Sequence, residues 1–248
     1  MDTDILMKSR SVKGCITAGL KLYSGAFRRI FRLVWLPFAV YALLSGLITS
    51  FLTVDYPEAI STYMAGKLPP DQALVPLTIA IVGVILVILS VLVCIAYSFG
   101  LLRQHSRDGY VCQPTTWHAQ GLLAPFKSAV KAIKRFFGSL KAVFHHFGLV
   151  FAVTFVVVIF LAMALLITTL PAIILAVASL SAQVGVLGGD PLGMPHYIKP
   201  LTIAVFSIAG FIQAYIMLAA LLPIYYAYGS AVTQEQERNE KKDSIYRP

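Results

Sequence analysis

Charge is the first thing in short supply. A soluble domain carries about 25% charged residues. This chain of 248 residues has 12%, against 58% hydrophobic, with a mean hydropathy of +0.79. That balance excludes an ordinary soluble globule and points to a membrane protein. Cysteine is scarce as well. Cys15, Cys94 and Cys112 are odd in number and form no CxxC, which excludes a disulfide framework and a thiolate zinc site. The first 30 residues lack the apolar core of a cleavable signal peptide, being interrupted by Lys8, Arg10, Lys13, Lys21 and Arg28. The first span is therefore expected to act as its own uncleaved anchor. No Gly-rich phosphate loop, nucleophile elbow or paired-carboxylate pattern is present, so neither an enzyme nor a cofactor is expected.

The apolar runs lack ionisable residues in their cores. Intramembrane charges mark ion and proton pathways, so their absence argues against a proton-coupled transporter or an intramembrane protease. Gln213 is the most polar core residue, and is expected to make an interhelix polar contact rather than to bind a substrate. His105, Asp108, Cys112 and His118 are metal-ligand types, but their spacing fits no zinc pattern. His145 and His146, about 100° apart on a helix, cannot both ligate one ion. They suit an interfacial role beside basic residues.

What is present begins with a duplicated stretch. Pro-Leu-Thr-Ile-Ala occurs at Pro76–Ala80 and again at Pro200–Ala204, 124 residues apart. At an offset of 113, Lys21 falls on Lys134, Tyr23 on Phe136, Gly25 on Gly138, Arg28 on Lys141 and Phe31 on Phe144. Tyr97-Ser98-Phe99-Gly100 resembles Tyr226-Ala227-Tyr228-Gly229. Leu36, Phe38, Ala39 and Val40 likewise fall on Leu149, Phe151, Ala152 and Val153, and four matches in one order indicate a tandem repeat.

Each half opens with a basic amphipathic stretch. In 11–32, Val12, Ile16, Leu20, Tyr23, Phe27 and Ile30 are read as one face, with Lys13, Lys21, Arg28 and Arg32 opposite and Arg29 at the margin. In 125–144, Phe126, Val130, Ile133, Phe137, Leu140 and Phe144 oppose Lys127, Lys131, Lys134, Arg135 and Lys141. Both are expected to lie in the headgroup plane. Spans are expected at 33–53, 76–102, 148–170 and 200–229, with a short helix from Pro57 to Ala65. Ser90, Cys94, Ala96 and Gly100 supply small residues for packing in the second span. The run from Phe147 to Leu187 is about twice the bilayer as one helix. Pro171 is expected to end the span and to start an interfacial helix along the outer leaflet.

The expected fold is thus an all-α integral membrane protein. Its four transmembrane helices form two tandem parallel repeats, each an amphipathic helix plus a helical hairpin, with an interfacial helix after Pro171. The first repeat covers 1–113 and the second 114–232. A polar tail, 233–248, is expected to be disordered or a frayed helical extension. Of 20 Lys and Arg, only Lys67 and Lys199 fall in the connections assigned to the outside, which puts both termini and the central segment in the cytoplasm.

The two basic stretches, each feeding a hairpin of spans (Gly25-Ala26-Phe27-Arg28-Arg29-Ile30-Phe31 and Gly138-Ser139-Leu140-Lys141-Ala142-Val143-Phe144), resemble the YciC-type membrane proteins. They also resemble the membrane domain fused to some glycerophosphoryl diester phosphodiesterases. The resemblance implies a bacterial inner-membrane protein near lipid or envelope maintenance, and it carries over no functional residue. Those families commonly have more spans, and no phosphodiesterase catalytic segment occurs in these residues.

The net charge of +9 sits beside hydrophobic spans, so the expected partner is anionic phospholipid and not nucleic acid. Nine cations are expected to form a two-part collar for lipid headgroups: Lys13, Lys21, Arg28 and Arg32, then Lys127, Lys131, Lys134, Arg135 and Lys141. The expected function is a non-enzymatic module that organises lipid or a partner complex, the partner being another membrane protein or a second copy. A transport component, channel or exporter subunit is the alternative.

Overall fold

The computed structural model describes residues 8–64, 70–108, 144–188, 195 and 197–246. Apolar runs this long, with few polar breaks, close their backbone bonds internally, and every described element is a helix. Helix α1 is Val12–Ser50, followed by a π-helical segment, Phe51–Asp55, and by α2, Tyr56–Met64. Helix α3 is Pro70–Asp108, α4 is Phe147–Leu187 and α5 is Ile198–Tyr246. Four helical stretches are long and apolar enough to cross a membrane: Val12–Ile60, Val75–Ser98, Phe147–Gly185 and Ile198–Lys242. That is consistent with an integral membrane protein.

Two expected boundaries are absent. The amphipathic stretch 11–32 and the first span join in one α1 without interruption. Nothing at Arg32-Leu33 breaks a helix, and Pro37 removes only the donor to the Leu33 carbonyl. Likewise α4 runs unbroken through Pro171, where a span was expected to end. One missing N–H costs a single bond at Ile167, and no charged residue nearby holds a turn in its place. The Thr168 and Thr169 hydroxyls bond back to the carbonyls of Ala164, Leu165 and Leu166, which keeps this region polar-satisfied within its own helix. The short helix after Pro57 is present as α2, and the tail takes the helical alternative, since α5 continues to Tyr246.

The chain divides into two compact units. The first contains α1 up to Trp35, α3 from Ile95, α4 up to Met163 and α5 from Ile216. Its core is Cys15, Val153, Val157, Tyr226 and Ala227, with Val12, Ile16, Leu22 and Ile224 packed around them. Gly19 lets α1 close onto the proline of α5. A methyl group on Gly19 would stand 2.6 Å from Pro223 N and 2.8 Å from its Cα.

The second unit contains Leu36–Cys94 and Ala164–Tyr215. Here α1 meets α5 through small residues. Gly46 lies against Ser207, where an added methyl would fall 3.0 Å from the Ile203 carbonyl oxygen. Gly210 lies against Ala42 and Ser45. Phe38 and Tyr215 pack edge to face at 5.0 Å, and Phe211 meets Tyr215 in the same way at 5.1 Å. On α3, Ser90 is buried and the Cys94 thiol donates to the Pro37 carbonyl at 3.5 Å, so these two small residues do pack. Between helices in lipid, such contacts replace the hydrophobic driving force that water supplies elsewhere.

Gly19→Leu and Gly46→Leu are each expected to destabilise by about 1–3 kcal/mol through overpacking. Gly25 has nothing within 4 Å, so Gly25→Leu is the control and should be near neutral. Thermal unfolding of the three variants in detergent checks this.

Candidate functional site

The first half of the expected cationic collar lies on α1. Lys13, Lys21, Arg28 and Arg32 are all exposed, and among the described residues their side chains make no ion pair or hydrogen bond. The sequence explains this, because no Asp or Glu occurs between Asp4 and Asp55. The second half, Lys127, Lys131, Lys134, Arg135 and Lys141, lies outside the described residues, as do the facing apolar positions from Phe126 to Leu140.

The apolar face of α1 is divided where one face was expected. Ile30 is fully buried and Val12, Ile16 and Tyr23 are half-buried, whereas Leu20 and Phe27 are 51% and 43% exposed. At roughly 100° per residue three stripes result. Cys15, Gly19, Ala26, Ile30 and Val34 face the protein. Leu20, Phe27, Phe31 and Trp35 form an exposed, mostly aromatic stripe beside them. Lys21, Arg28 and Arg32 form the third. Lys13 was expected among the cations but falls on the aromatic arc, only about 100° from Val12. Tyr23, Phe27 and Phe31 touch in series, with centroids 5.5 and 6.1 Å apart, which stiffens the aromatic stripe.

Arg10 was not expected to have a role, and the structure gives it a fixed one. Its backbone N–H donates to Ser230 Oγ at 2.7 Å, and that hydroxyl donates back to the Arg10 carbonyl at 3.1 Å. Its guanidinium lies 5.0 Å from the Tyr226 ring centre, a cation–π distance. One turn on, Gln234 Nε2 donates to Ser9 Oγ at 3.3 Å. The segment preceding α1 is thereby clasped to α5. Only the separation of 220 residues in sequence hid the pairing.

Farther along α5 an open groove of about 440 Å³ is lined by His146, Gln234, Glu237, Arg238, Lys241 and Lys242. His146 Nε2 lies 3.4 Å from Glu235, which also approaches Arg238 at 4.0 Å. Arg238, Lys241 and Lys242 outnumber Glu237 in its lining, with Glu235 beside it, so the groove carries a modest positive charge. The His145 and His146 rings meet edge to face at 5.7 Å, and among the described residues no group of three metal-ligating side chains forms.

Gln213 is half-buried in α5, and among the described residues its amide makes no hydrogen bond. The long-range bonds in the second unit come instead from Ser179 and Gln183 of α4. No family model, curated protein or solved structure matches this chain.

Ser230→Ala removes both hydroxyl bonds of the Arg10 clasp without adding bulk at this buried position. Limited trypsin digestion is expected to cut at Lys8, Arg10 and Lys13 several-fold faster in this variant, with cleavage near Lys241 unchanged.

Proposed function

We propose that this protein is a non-enzymatic multi-pass membrane module that gathers anionic phospholipid at the cytoplasmic face of a bacterial inner membrane. The observation that carries this reading is the pairing of two stripes on α1. Lys21, Arg28 and Arg32 are exposed and unpaired, directly beside the exposed Leu20, Phe27, Phe31 and Trp35. A protein partner would have to supply acid along the whole arc, whereas an anionic leaflet offers it everywhere. Aromatic and apolar side chains at the acyl boundary, with cations at headgroup level, are what an interfacial helix requires.

In this reading the chain is two tandem parallel repeats, with both termini inside. Lys127, Lys131, Lys134, Arg135 and Lys141 complete the collar from the second repeat. The 41 residues of α4 would rise about 61 Å, against a hydrocarbon core of about 30 Å. The excess is assigned to 171–186, which leaves the hydrocarbon at a shallow angle in the outer leaflet. Its exposed large side chains, Ile173, Ile174, Val177, Leu180 and Val184, are apolar and suit that depth, with Ser181 the small polar residue exposed among them.

Each Lys or Arg near an anionic surface contributes about 1 kcal/mol. If half of that is realised, replacing Lys21, Arg28 and Arg32 with Gln lowers anionic lipid retention roughly tenfold. Lipid retained through purification, measured by mass spectrometry, checks this, together with a scrambled 125–144 helix of equal composition. Correct insertion with unchanged lipid in both variants would mean the cations only set topology. The placement of 171–186 has its own readout. A fluorophore at Val177 should be quenched by headgroup-level quenchers and one at Ile159 by quenchers deep in the acyl chains; deep quenching at both sites refutes the shallow placement.

A further inference from the structure

Residues 53–55 carry a backbone problem that starts at Pro57. In the π-helical segment the Tyr56 N–H closes on the Phe51 carbonyl. Pro57 has no N–H, and an α-helix beginning at Tyr56 directs the Ala59 N–H to the residue-55 carbonyl. The Leu52, Thr53 and Val54 carbonyls are then left with one backbone donor, the Glu58 N–H. At least two of the three need a partner from elsewhere, and Val54 is buried.

Three side chains from two other helices arrive at this point. Gln183 Nε2 donates to the Val54 carbonyl at 2.9 Å, and Ser179 Oγ lies 3.3 Å from the Thr53 carbonyl. Lys199 Nζ pairs with Asp55 Oδ1 at 2.6 Å. Ser179 and Gln183 are four apart on α4, so they present on one face, one turn apart. The Ser-x-x-x-Gln spacing thus matches two successive carbonyls of a helix that has lost its own donors.

The contacts are unequal. Ser179 has one proton and lies closer to the Ala176 carbonyl, at 2.8 Å, than to Thr53. The Lys199 side chain is 54% exposed, so water and salt weaken its pair with Asp55. Gln183 makes the short bond to the buried position, and its loss strands a carbonyl away from water.

We infer that Ser179, Gln183 and Lys199 form a releasable clamp on residues 53–55, which makes the π-helical segment a hinge for α2. With the clamp closed, the freed carbonyls are satisfied and α2 is held. With it open, the segment must find water or another backbone path, and α2 swings. A π segment beside a proline can change its bonding at low cost, because it has surplus acceptors and no unbroken ladder to disrupt. The movement of α2 is thereby tied to α4 and to the start of α5.

Hydrogen exchange of the full chain in nanodiscs, followed by mass spectrometry, tests this with four proteins: wild type, Gln183→Leu, Pro57→Ala, and the double variant. Gln183→Leu is expected to speed exchange across 56–64 on the order of tenfold, leaving 15–34 and 201–222 unchanged. Pro57→Ala restores the missing N–H, so the double variant should return to wild-type exchange in 56–64. Unchanged exchange in Gln183→Leu overturns the clamp. So does acceleration that Pro57→Ala fails to reverse, since the carbonyls freed by the proline would then not be what Gln183 holds. Equal acceleration in every helix also overturns it, by showing general loosening.

Discussion

Where there is no water to accept or donate, every backbone carbonyl and N–H must find its partner inside the protein, and each proline in a long apolar helix takes one donor away. This chain places Pro37, Pro76, Pro171 and Pro223 inside such helices and Pro57 just past the first. How each gap is handled organises much of the rest. At Pro223 the first unit brings a glycine against the ring, so that α1 packs where α5 lacks an N–H. At Pro57 the ladder slips into a π register, and α4 lends an amide and a hydroxyl. At Pro171 neither occurs and the helix continues.

The contrast between Pro57 and Pro171 has a local cause. Pro57 follows Asp55, a charge that cannot stay in hydrocarbon without a partner, and four residues later the chain remains amphipathic. Lys199 supplies that partner at 2.6 Å. Pro171 is followed by Ala-Ile-Ile-Leu-Ala-Val, which carries no charge that a break would relieve. Its helix therefore has more to lose by breaking than the one bond the proline removes. The two prolines are handled differently because of their neighbours.

That also marks what could be read from the sequence. Composition and run length reveal the helices and their number, because spanning a membrane demands about 20 apolar residues and few charges. Periodicity reveals the cations of α1 and their shared exposure. It fails to say which apolar residues face protein and which face outward, since Leu20 and Ile30 look alike in a hydropathy pattern. The close approach of Gly19 to Pro223 marks the arc that faces inward. Ser179 and Gln183 were invisible for a different reason. Their partners are backbone atoms more than 120 residues away, and a carbonyl carries no residue identity to match. Gln213 attracted notice as the most polar residue of its span, while Gln183, near the end of a longer run, makes the bond.

Small residues and hydroxyls divide the packing between them. In the second unit Gly46 and Gly210 remove bulk so that α1 and α5 approach at Ser207 and Ser45. The hydroxyls in that seam add little attraction. Ser45 bonds back to the Ala42 carbonyl of its own helix, and Ser50 and Ser207 make no side-chain hydrogen bond. Cohesion there comes from close backbone approach and from the aromatic contacts of Phe38 and Phe211 with Tyr215. Among the described residues, long-range hydroxyl-to-carbonyl bonds occur elsewhere, at Arg10–Ser230 and at residues 53–55, where a helix start and a proline leave backbone groups open. In each unit, polar side chains are thus used where the backbone cannot satisfy itself, and glycine where it can.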